Sequence, residues 1–490
     1  ALLLAAACTL GLAAPAQAQP RKDSAVLGMT LEPTPGLDPT AGAASAIAEV
    51  VLYNVFETLT KINSDGRTTP LLADSWKVSD DLKTWTFKLK SGVSFSNGEP
   101  FNAAAVKFSF ERAVAKDSVN KDKATFANIE RIDAPDATTV VLNLKNGDAD
   151  LLFKLGQATA IVVEPKSAAG NGTQPVGTGP FKLDNWAKGS AITLTRWDGY
   201  RHAKDVKMKR VQIRFISDPA AQVAALLSGD VDFFPRVAAA RSLKQFEGNK
   251  KFQVLISAGR AKTILAINNK KKPLDDVRVR RAINMAIDRK AVIQGAGDGY
   301  GSPIGSYYVP SAPGYVDLTK VNAYDPDKAR ALLKEAGVSN LELTITLPPP
   351  PYARQGGEVI ASMLDKVGIK AKLQNVEWAQ WLSGTYGSKN YDLTIISHVE
   401  PFDLGNFSRP GYYWNYESTK FNALYDKYKQ TANAAERNRI LGDIQRLVAD
   451  DAVHGYLYQP QWVTVANKNV KGLWANMPIF VNDLSALSWG

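Results

Sequence analysis

The sequence contains almost no cysteine: Cys8 is the only one among 490 residues. It lies in an uncharged segment, residues 1–18, whose apolar run at 2–14 is too short to span a membrane. This segment ends at 16–18 in Ala-Gln-Ala, a small-x-small cleavage site. We therefore predict an exported, periplasmic protein whose signal peptide is cleaved after Ala18 and whose mature chain has no disulfide and no thiolate metal site. Lipidation of Cys8 is the alternative, which the continuation of the apolar run past the cysteine disfavours.

Several motifs of enzymes and membrane proteins are also missing. No later stretch is apolar and long enough to cross a bilayer. There is no Gly-x-Ser-x-Gly nucleophile elbow and no Gly-Lys-Ser/Thr phosphate loop, so nucleophilic catalysis has little support and the chain does not hydrolyse ATP itself. Only three histidines are present, which is few for a zinc or nickel site. We predict no cofactor.

The charge of the chain is positive, with 59 Lys and Arg against 48 Asp and Glu and a net charge of +11. The basic clusters at 204–210 and 278–281 are short and are not interleaved with aromatic residues. We interpret them as solvated surface, and we do not predict nucleic acid as a partner.

Length and periodicity predict an α/β protein of two or three domains. A hydrophobic content of 45% and a charged content of 22% are ordinary for a soluble globular protein. In the C-terminal half strands alternate with helices, which indicates α/β layers. The predicted helices are 46–59, 276–293, 326–336, 358–367 and 434–449, and the predicted strands include 263–268, 341–347, 370–373, 393–396 and 456–466.

Residues 81–115 carry the most specific pattern in the chain. Apolar and polar residues alternate along 84–89, which predicts a strand with one apolar face. Asn97-Gly98 is a hairpin turn signal, and Asn102 can cap a helix whose apolar residues repeat at a spacing of four. The order of strand, Asn-Gly turn, Pro-Phe and a helix ending in Phe-Glu-Arg resembles one family, the solute-binding receptors of ATP-driven importers for peptides, nickel, opines and some oligosaccharides.

Further motifs that resemble this family follow in its order over nearly all of the mature chain. They are Gly-Thr-Gly-Pro-Phe at 177–181, Leu-Ser-Gly-Asp-Val-Asp at 227–232, the charged helix motif at 275–289, Tyr-Asp-Pro at 324–326, Val-Gly-Ile at 367–369 and Tyr-Asp-Leu at 391–393.

The resemblance implies a two-lobed periplasmic binding fold of type II, cluster C, with an extra subdomain in the first lobe. It places the core of the first lobe at 19–70, 175–263 and 466–490, the extra subdomain at 71–174, and the second lobe at 264–465, with hinge strands near 264–268 and 460–465. It also implies a monomeric receptor, not an enzyme, that captures a small polar solute such as a peptide between its lobes. The receptor then delivers the solute to the permease and ATPase subunits of an ABC importer.

Candidate ligand contacts follow the predicted strand 393–396, because loops at strand ends carry binding residues in α/β proteins. The resemblance implies that Glu400 pairs with the ammonium group of a peptide, which needs a carboxylate once it leaves water. The other candidate ligand-binding residues are His398, Asp403, Tyr412, Trp414, Trp378 and Ser45. Dipeptide-binding members tend to carry Arg-Pro-Tyr after the strand that corresponds to 341–347, and its arginine binds the peptide carboxylate. This chain has Leu-Pro-Pro-Pro-Pro-Tyr at 347–352, and Arg354 is out of register. That departure argues against a free dipeptide and favours a longer peptide, an amino-acid conjugate or a sugar-like ligand.

Other functions stay open at this point. The same fold could bind an opine, an oligosaccharide or a nickel complex, and His398, Glu400 and Asp403 form a His-x-Glu-x-x-Asp pattern that could bind a metal. A secreted hydrolase would use Glu400 and Asp403 as acid and base. A chaperone-like protein would hold extended polypeptide in the same cleft.

Overall fold

The computed structural model describes residues 23–42, 44–238, 240–401 and 403–490. The predicted signal peptide, with its cleavage site and Cys8, lies outside the described residues. Within those ranges, no helix combines the length and the apolar character needed to cross a membrane.

Strands and helices alternate along much of the chain. The strands are β1 (Ser24–Met29), β2 (Thr60–Ile62), β3 (Thr68–Pro70), β4 (Ala73–Val78), β5 (Thr84–Leu89), β6 (Ile129–Asp136), β7 (Thr139–Leu144), β8 (Phe181–Ala187), β9 (Ala191–Arg196), β10 (Arg210–Phe215), β11 (Phe233–Phe234), β12 (Phe252–Ala258), β13 (Lys262–Ile267), β14 (Gly301–Pro303), β15 (Leu341–Leu347), β16 (Ile369–Asn375), β17 (Leu393–His398), β18 (His454–Asn467), β19 (Val470–Lys471) and β20 (Ser488–Trp489). The helices are α1 (Ser45–Val51), α2 (Ala103–Val114), α3 (Lys123–Ala127), α4 (Leu151–Lys154), α5 (Pro219–Ser228), α6 (Val277–Ala286), α7 (Arg289–Ala296), α8 (Pro326–Glu335), α9 (Pro351–Asp365), α10 (Trp378–Gln380) with a π-helical turn at Trp381–Gly387, α11 (Thr419–Gln430) and α12 (Ala434–Asp450).

Separate hydrophobic cores define two lobes and a small subdomain. In the first lobe, α1 packs with β1 and β8–β10 around a core that includes Leu27 and Phe181. In the small subdomain, α2 covers an antiparallel sheet in the order β4-β5-β7-β6. The second lobe has one core around β15, β17 and α6–α9, and another beneath α11 and α12. The architecture is therefore α/β with two lobes.

One long strand, β18, joins the sheets of the two lobes. Its first part, from His454 to Tyr458, pairs with β13 of the second lobe. Its later part, from Gln461 to Asn467, pairs with β12 of the first lobe. The connected sheet runs in the order β16-β15-β17-β13-β18-β11-β1-β10-β9-β8.

The strand pairing places the first crossover between the lobes a few residues before the predicted hinge strand 264–268, and the second at the start of the predicted hinge strand 460–465. Ala258 still pairs in the first lobe and Lys262 already pairs in the second, so the first crossover is at 259–261. On β18, Pro460 still pairs with Gly301 of the second lobe and Gln461 already pairs with Ala258 of the first. The predicted stretch 264–268 falls largely within β13, which is paired on both sides. Apolar periodicity identifies such strands but does not show which sheet they join.

Local capping explains where several helices begin and end. The Asn102 side chain accepts a hydrogen bond from the Ala105 amide, which confirms the predicted cap of α2. The predicted helix 46–59 is too long, because Tyr53 adopts a left-handed conformation with φ of 60° and α1 ends before it. The predicted helix 276–293 is two helices, because Asp288 caps a new one.

Candidate functional site: a cavity between the lobes

A cavity of about 350 Å³ lies where the two lobes and the small subdomain meet. Its wall includes Ser45, Ala48 and Phe480 from the first lobe, Lys121, Asp122, Lys154 and Thr159 from the small subdomain, and Glu400, Asp403 and Asn406 from the second lobe. The predicted residues Ser45, Glu400 and Asp403 are thus brought together. Because each part of the fold contributes to the wall, a solute held here would be enclosed when the lobes meet.

The loop after β17 is anchored by a buried ion pair. Lys262, the first residue of β13, donates to Asp403 Oδ1 at 2.6 Å and to the main-chain oxygen of Glu400 at 2.6 Å. The Tyr307 hydroxyl donates to Asp403 Oδ2 at 2.7 Å. The side chains of Lys262 and Asp403 are only 4% and 6% exposed. Protein donors therefore already bind both carboxylate oxygens of Asp403. Asp403 was predicted as a ligand contact, and in this structure its side chain holds the loop in place.

His398 lies beside this ion pair and outside the residues that line the cavity. Its Nε2 is 3.0 Å from the Tyr413 hydroxyl, and its Nδ1 is 3.8 Å from Asp403 Oδ2. Burial lowers the pKa of His398, with a smaller opposing effect from Asp403 and Glu400. The ring is therefore neutral near pH 7 and supports the loop through its hydrogen bond to Tyr413.

The predicted metal-binding pattern comes together in space, with ligand atoms of His398, Glu400 and Asp403 within 4.8 Å of one another. A cation bound there would compete with the Lys262 ammonium for Asp403. The cluster also supplies a single imidazole, whereas zinc and nickel sites in proteins usually have more nitrogen or sulfur ligands. The geometry favours a loop held by hydrogen bonds over a metal centre.

Glu400 is the free carboxylate of the loop. Its side chain is exposed within the cavity wall, and among the described residues it accepts a hydrogen bond only from the neighbouring Val399 amide, at 3.2 Å. Its main chain is fixed by Lys262. The second lobe thus presents to the cavity an acidic group that has no cationic partner among the described residues, on a backbone that is held in place.

The small subdomain contributes two lysines to the cavity wall. Lys154 ends α4 and pairs with Asp148 at 2.7 Å. Lys121 makes no ion pair with any residue that the structure describes. The carboxylate of the adjacent Asp122 accepts a hydrogen bond from the Thr159 hydroxyl at 2.5 Å. The cavity wall therefore combines an acidic residue of the second lobe with lysines of the small subdomain.

The predicted aromatic contacts lie outside the cavity wall. Trp414 is fully buried, with its ring 4.6 Å from that of His454 and 5.7 Å from that of Tyr307. Tyr412 is half-buried, and Trp378 is exposed on the surface of the second lobe. Neither Trp414 nor Tyr412 is among the residues that line this cavity, and their role as ligand contacts stays a prediction. Their polar sequence neighbours face solvent, while the Trp414 ring turns into the core, where its burial is favourable.

Sequence reasoning missed the cations and donors of the site, which are Lys262, Tyr307, Lys121 and Lys154. A signal did exist for Lys262, because a lysine that begins an apolar, buried strand needs a carboxylate partner. The other three gave no signal, since their roles depend on which segments meet across the cleft. Arg354, noted as out of register, pairs with Glu377 at 3.2 Å and is not part of the cavity wall.

Comparison with known proteins agrees with this architecture. The family of bacterial extracellular solute-binding proteins, family 5 Middle, matches residues 67–420. The chain belongs to this family. It is a solute-binding receptor and not an enzyme, as predicted, and the hydrolase alternative is removed.

Relatives cover nearly the whole chain. The glutathione-binding protein GsiB of Escherichia coli strain K12 is 29% identical over 465 residues, which span 89% of this chain and 89% of GsiB. The periplasmic binding protein AgaA from A. tumefacien R10, solved with agropinic acid, is 28% identical with a TM-score of 0.80 and covers 95% of this chain and 98% of its own. DppA from Helicobacter pylori, solved with peptide STSA, is 25% identical with a TM-score of 0.80 and the same coverage of 95% and 98%. These likenesses confirm the predicted fold class.

Proposed function

We propose that this protein captures a peptide-like solute with a free amino group in the interlobe cavity and delivers it to the permease and ATPase of an ABC importer. One relative is named for glutathione, and two solved relatives hold agropinic acid and peptide STSA. The cavity volume of about 350 Å³ is within the range of small-molecule sites. The proposal includes action outside the cytoplasm, which the family membership and the signal-like segment 1–18 support. It also includes a monomeric state.

The observation that carries the proposal is the free carboxylate of Glu400. Moving an ammonium group out of water without a partner costs roughly several kcal/mol of hydration free energy. A carboxylate in the cavity wall offsets that cost. Lys121, which the small subdomain contributes to the wall of the same cavity, is the proposed partner of the anionic end of the solute. A solute with an amine at one end and a carboxylate at the other would match both residues.

Calorimetry and thermal unfolding with glutathione, peptide STSA and agropinic acid test the proposal. A matching solute should raise the melting temperature, because it binds the folded protein alone. Glu400→Gln should weaken binding of the amine-bearing solute about tenfold or more, since one neutralised charge contact contributes about 1.4 kcal/mol or more. Glu358→Gln is the matched control, because Glu358 is an exposed acid of the second lobe away from the cavity.

Two results would contradict parts of this proposal separately. Unchanged affinity in Glu400→Gln would remove Glu400 from the site and leave the receptor function intact. Failure of every amine-bearing compound to bind, with binding of a neutral sugar instead, would overturn the proposed solute class.

A further inference from the structure

Helix α4 of the small subdomain touches three functional parts of the molecule. Lys154, its last residue, lines the cavity. Phe153 packs against Arg260, whose guanidinium lies 4.7 Å from the ring centre, and Arg260 belongs to the crossover between the lobes. Asp150, the residue that precedes the helix, reaches Tyr428 in the second lobe. A single helical turn therefore connects the cavity, the crossover and the opposite side of the cleft.

The contact between Asp150 and Tyr428 spans the cleft. The Tyr428 hydroxyl donates to the carboxylate, at 3.2 Å from Oδ1 and 3.3 Å from Oδ2. Tyr428 is buried in the core beneath α11 and α12, so its hydroxyl has little freedom to follow a moving partner. This hydrogen bond forms only when the small subdomain and the second lobe meet.

The carboxylate of Asp150 is partly buried in this arrangement. Burial raises the pKa of Asp150, and Asp148 adds to that effect, while Lys154, Arg437 and the Tyr428 hydrogen bond oppose it. A carboxylate in such surroundings depends on its remaining donors, because an unsatisfied buried acceptor is destabilising. The Tyr428 hydroxyl is therefore a contact that favours the closed arrangement over one in which the lobes separate.

We propose that the Asp150–Tyr428 hydrogen bond is a latch that holds the small subdomain against the second lobe and so favours the closed cleft. Opening breaks this bond and exposes both groups to water. Lys154 of the same helical turn lines the cavity, so the latch is connected to the cavity wall through α4, and its strength helps to set how readily the cleft reopens. The latch does not depend on which solute is bound.

Spin labels on the two sides of the cleft test the latch in the full protein without added solute. Lys116→Cys in the small subdomain and Lys420→Cys in the second lobe place labels at exposed positions, in a Cys8→Ser background. Double electron–electron resonance then measures the separation of the two sides. Tyr428→Phe should lower the ratio of molecules with the short separation of the closed cleft to those with the long separation of the open cleft. The expected change is roughly fivefold, which corresponds to the net stabilisation by one hydrogen bond. Asp150→Ala should shift the ratio in the same direction.

Tyr425→Phe is the matched control. The Tyr425 ring stacks on that of Tyr428 at 6.1 Å, but its hydroxyl makes no hydrogen bond within the described part of the chain. It should leave the distribution unchanged. A Tyr428→Phe distribution equal to that of the wild type, an equal shift in Tyr425→Phe, or a wild-type distribution without the short separation would each overturn the latch.

Discussion

Removing the Lys262 ammonium should destabilise the second lobe strongly. Lys262→Met keeps the length of the side chain but deletes the donor to Asp403 Oδ1 and to the main-chain oxygen of Glu400. Loss of one partner from a buried ion pair costs about 3–5 kcal/mol, because the other charge stays buried without compensation. The Tyr307 hydroxyl still donates to Asp403 in this variant, so we expect about 3 kcal/mol.

Differential scanning calorimetry can measure this loss for the second lobe. For a unit of about 150–250 residues, each kcal/mol lowers the melting temperature by about 2–4 °C, so Lys262→Met should lower it by about 6–12 °C. Asp403→Asn and the variant with both substitutions complete a double-mutant cycle, which isolates the interaction energy between Lys262 and Asp403. The loss of stability in the double variant should be smaller than the sum of the losses in the two single variants, with a coupling energy of about 2 kcal/mol.

Lys270→Met is the control for this cycle. Lys270 pairs with Glu417 at the surface, where the two side chains are 56% and 64% exposed. Its loss should cost less than about 1 kcal/mol, because solvent screens such a pair. If Lys262→Met cost no more than Lys270→Met, or if the two site variants were additive, the buried pair would not be the support of the loop.

Two further predictions concern pH and helix capping. Burial lowers the pKa of His454 well below its usual value, and neither ring nitrogen has a hydrogen-bond partner among the described residues. Below about pH 6.5 the unfolded chain therefore binds a proton at His454 that the folded chain does not bind. The free energy of unfolding should thus fall on acidification by up to about 1.4 kcal/mol per pH unit. His454→Phe should flatten this slope in urea titrations between pH 5 and 6.5, and equal slopes would contradict the assignment. Asn102→Ala should cost about 1 kcal/mol, measured in the same way, because α2 loses its cap; no loss would show that the cap is dispensable.

The parts of the fold that depend on local chemistry were predictable from the sequence. The alternation at 84–89 and the cap at Asn102 give β5 and α2, because both signals act over a few residues. Errors arose where a second local signal competed. The left-handed Tyr53 ends α1 early, and Asp288 starts α7 within an apolar pattern that continues across it. The crossovers needed strand pairing, which the periodicity of a single strand does not specify.

The site was less predictable because its members come from distant segments. Glu400 was found by resemblance to a family, and the structure adds that its carboxylate lies exposed in the cavity wall. Trp414 does not line the cavity, because polar neighbours in the sequence do not fix the direction of a side chain. Lys121 and Lys154 are surface lysines by pattern, and only the meeting of the small subdomain with the second lobe brings them into one cavity wall with Glu400.

In the loop that carries Glu400, the contacts that fix the loop are separate from the carboxylate that we propose to bind the solute. Lys262 holds the main-chain oxygen of Glu400 and the side chain of Asp403, so the position of the loop does not depend on the Glu400 carboxylate. Glu400→Gln should therefore change solute affinity and leave the melting temperature near that of the wild type, whereas Lys262→Met should lower both. A comparison of melting temperatures and affinities in the two variants checks this. If Glu400→Gln lowered the melting temperature as much as Lys262→Met, the Glu400 carboxylate would be one of the groups that hold the loop in place. A change of this side chain alone could then not adapt the site to a different solute.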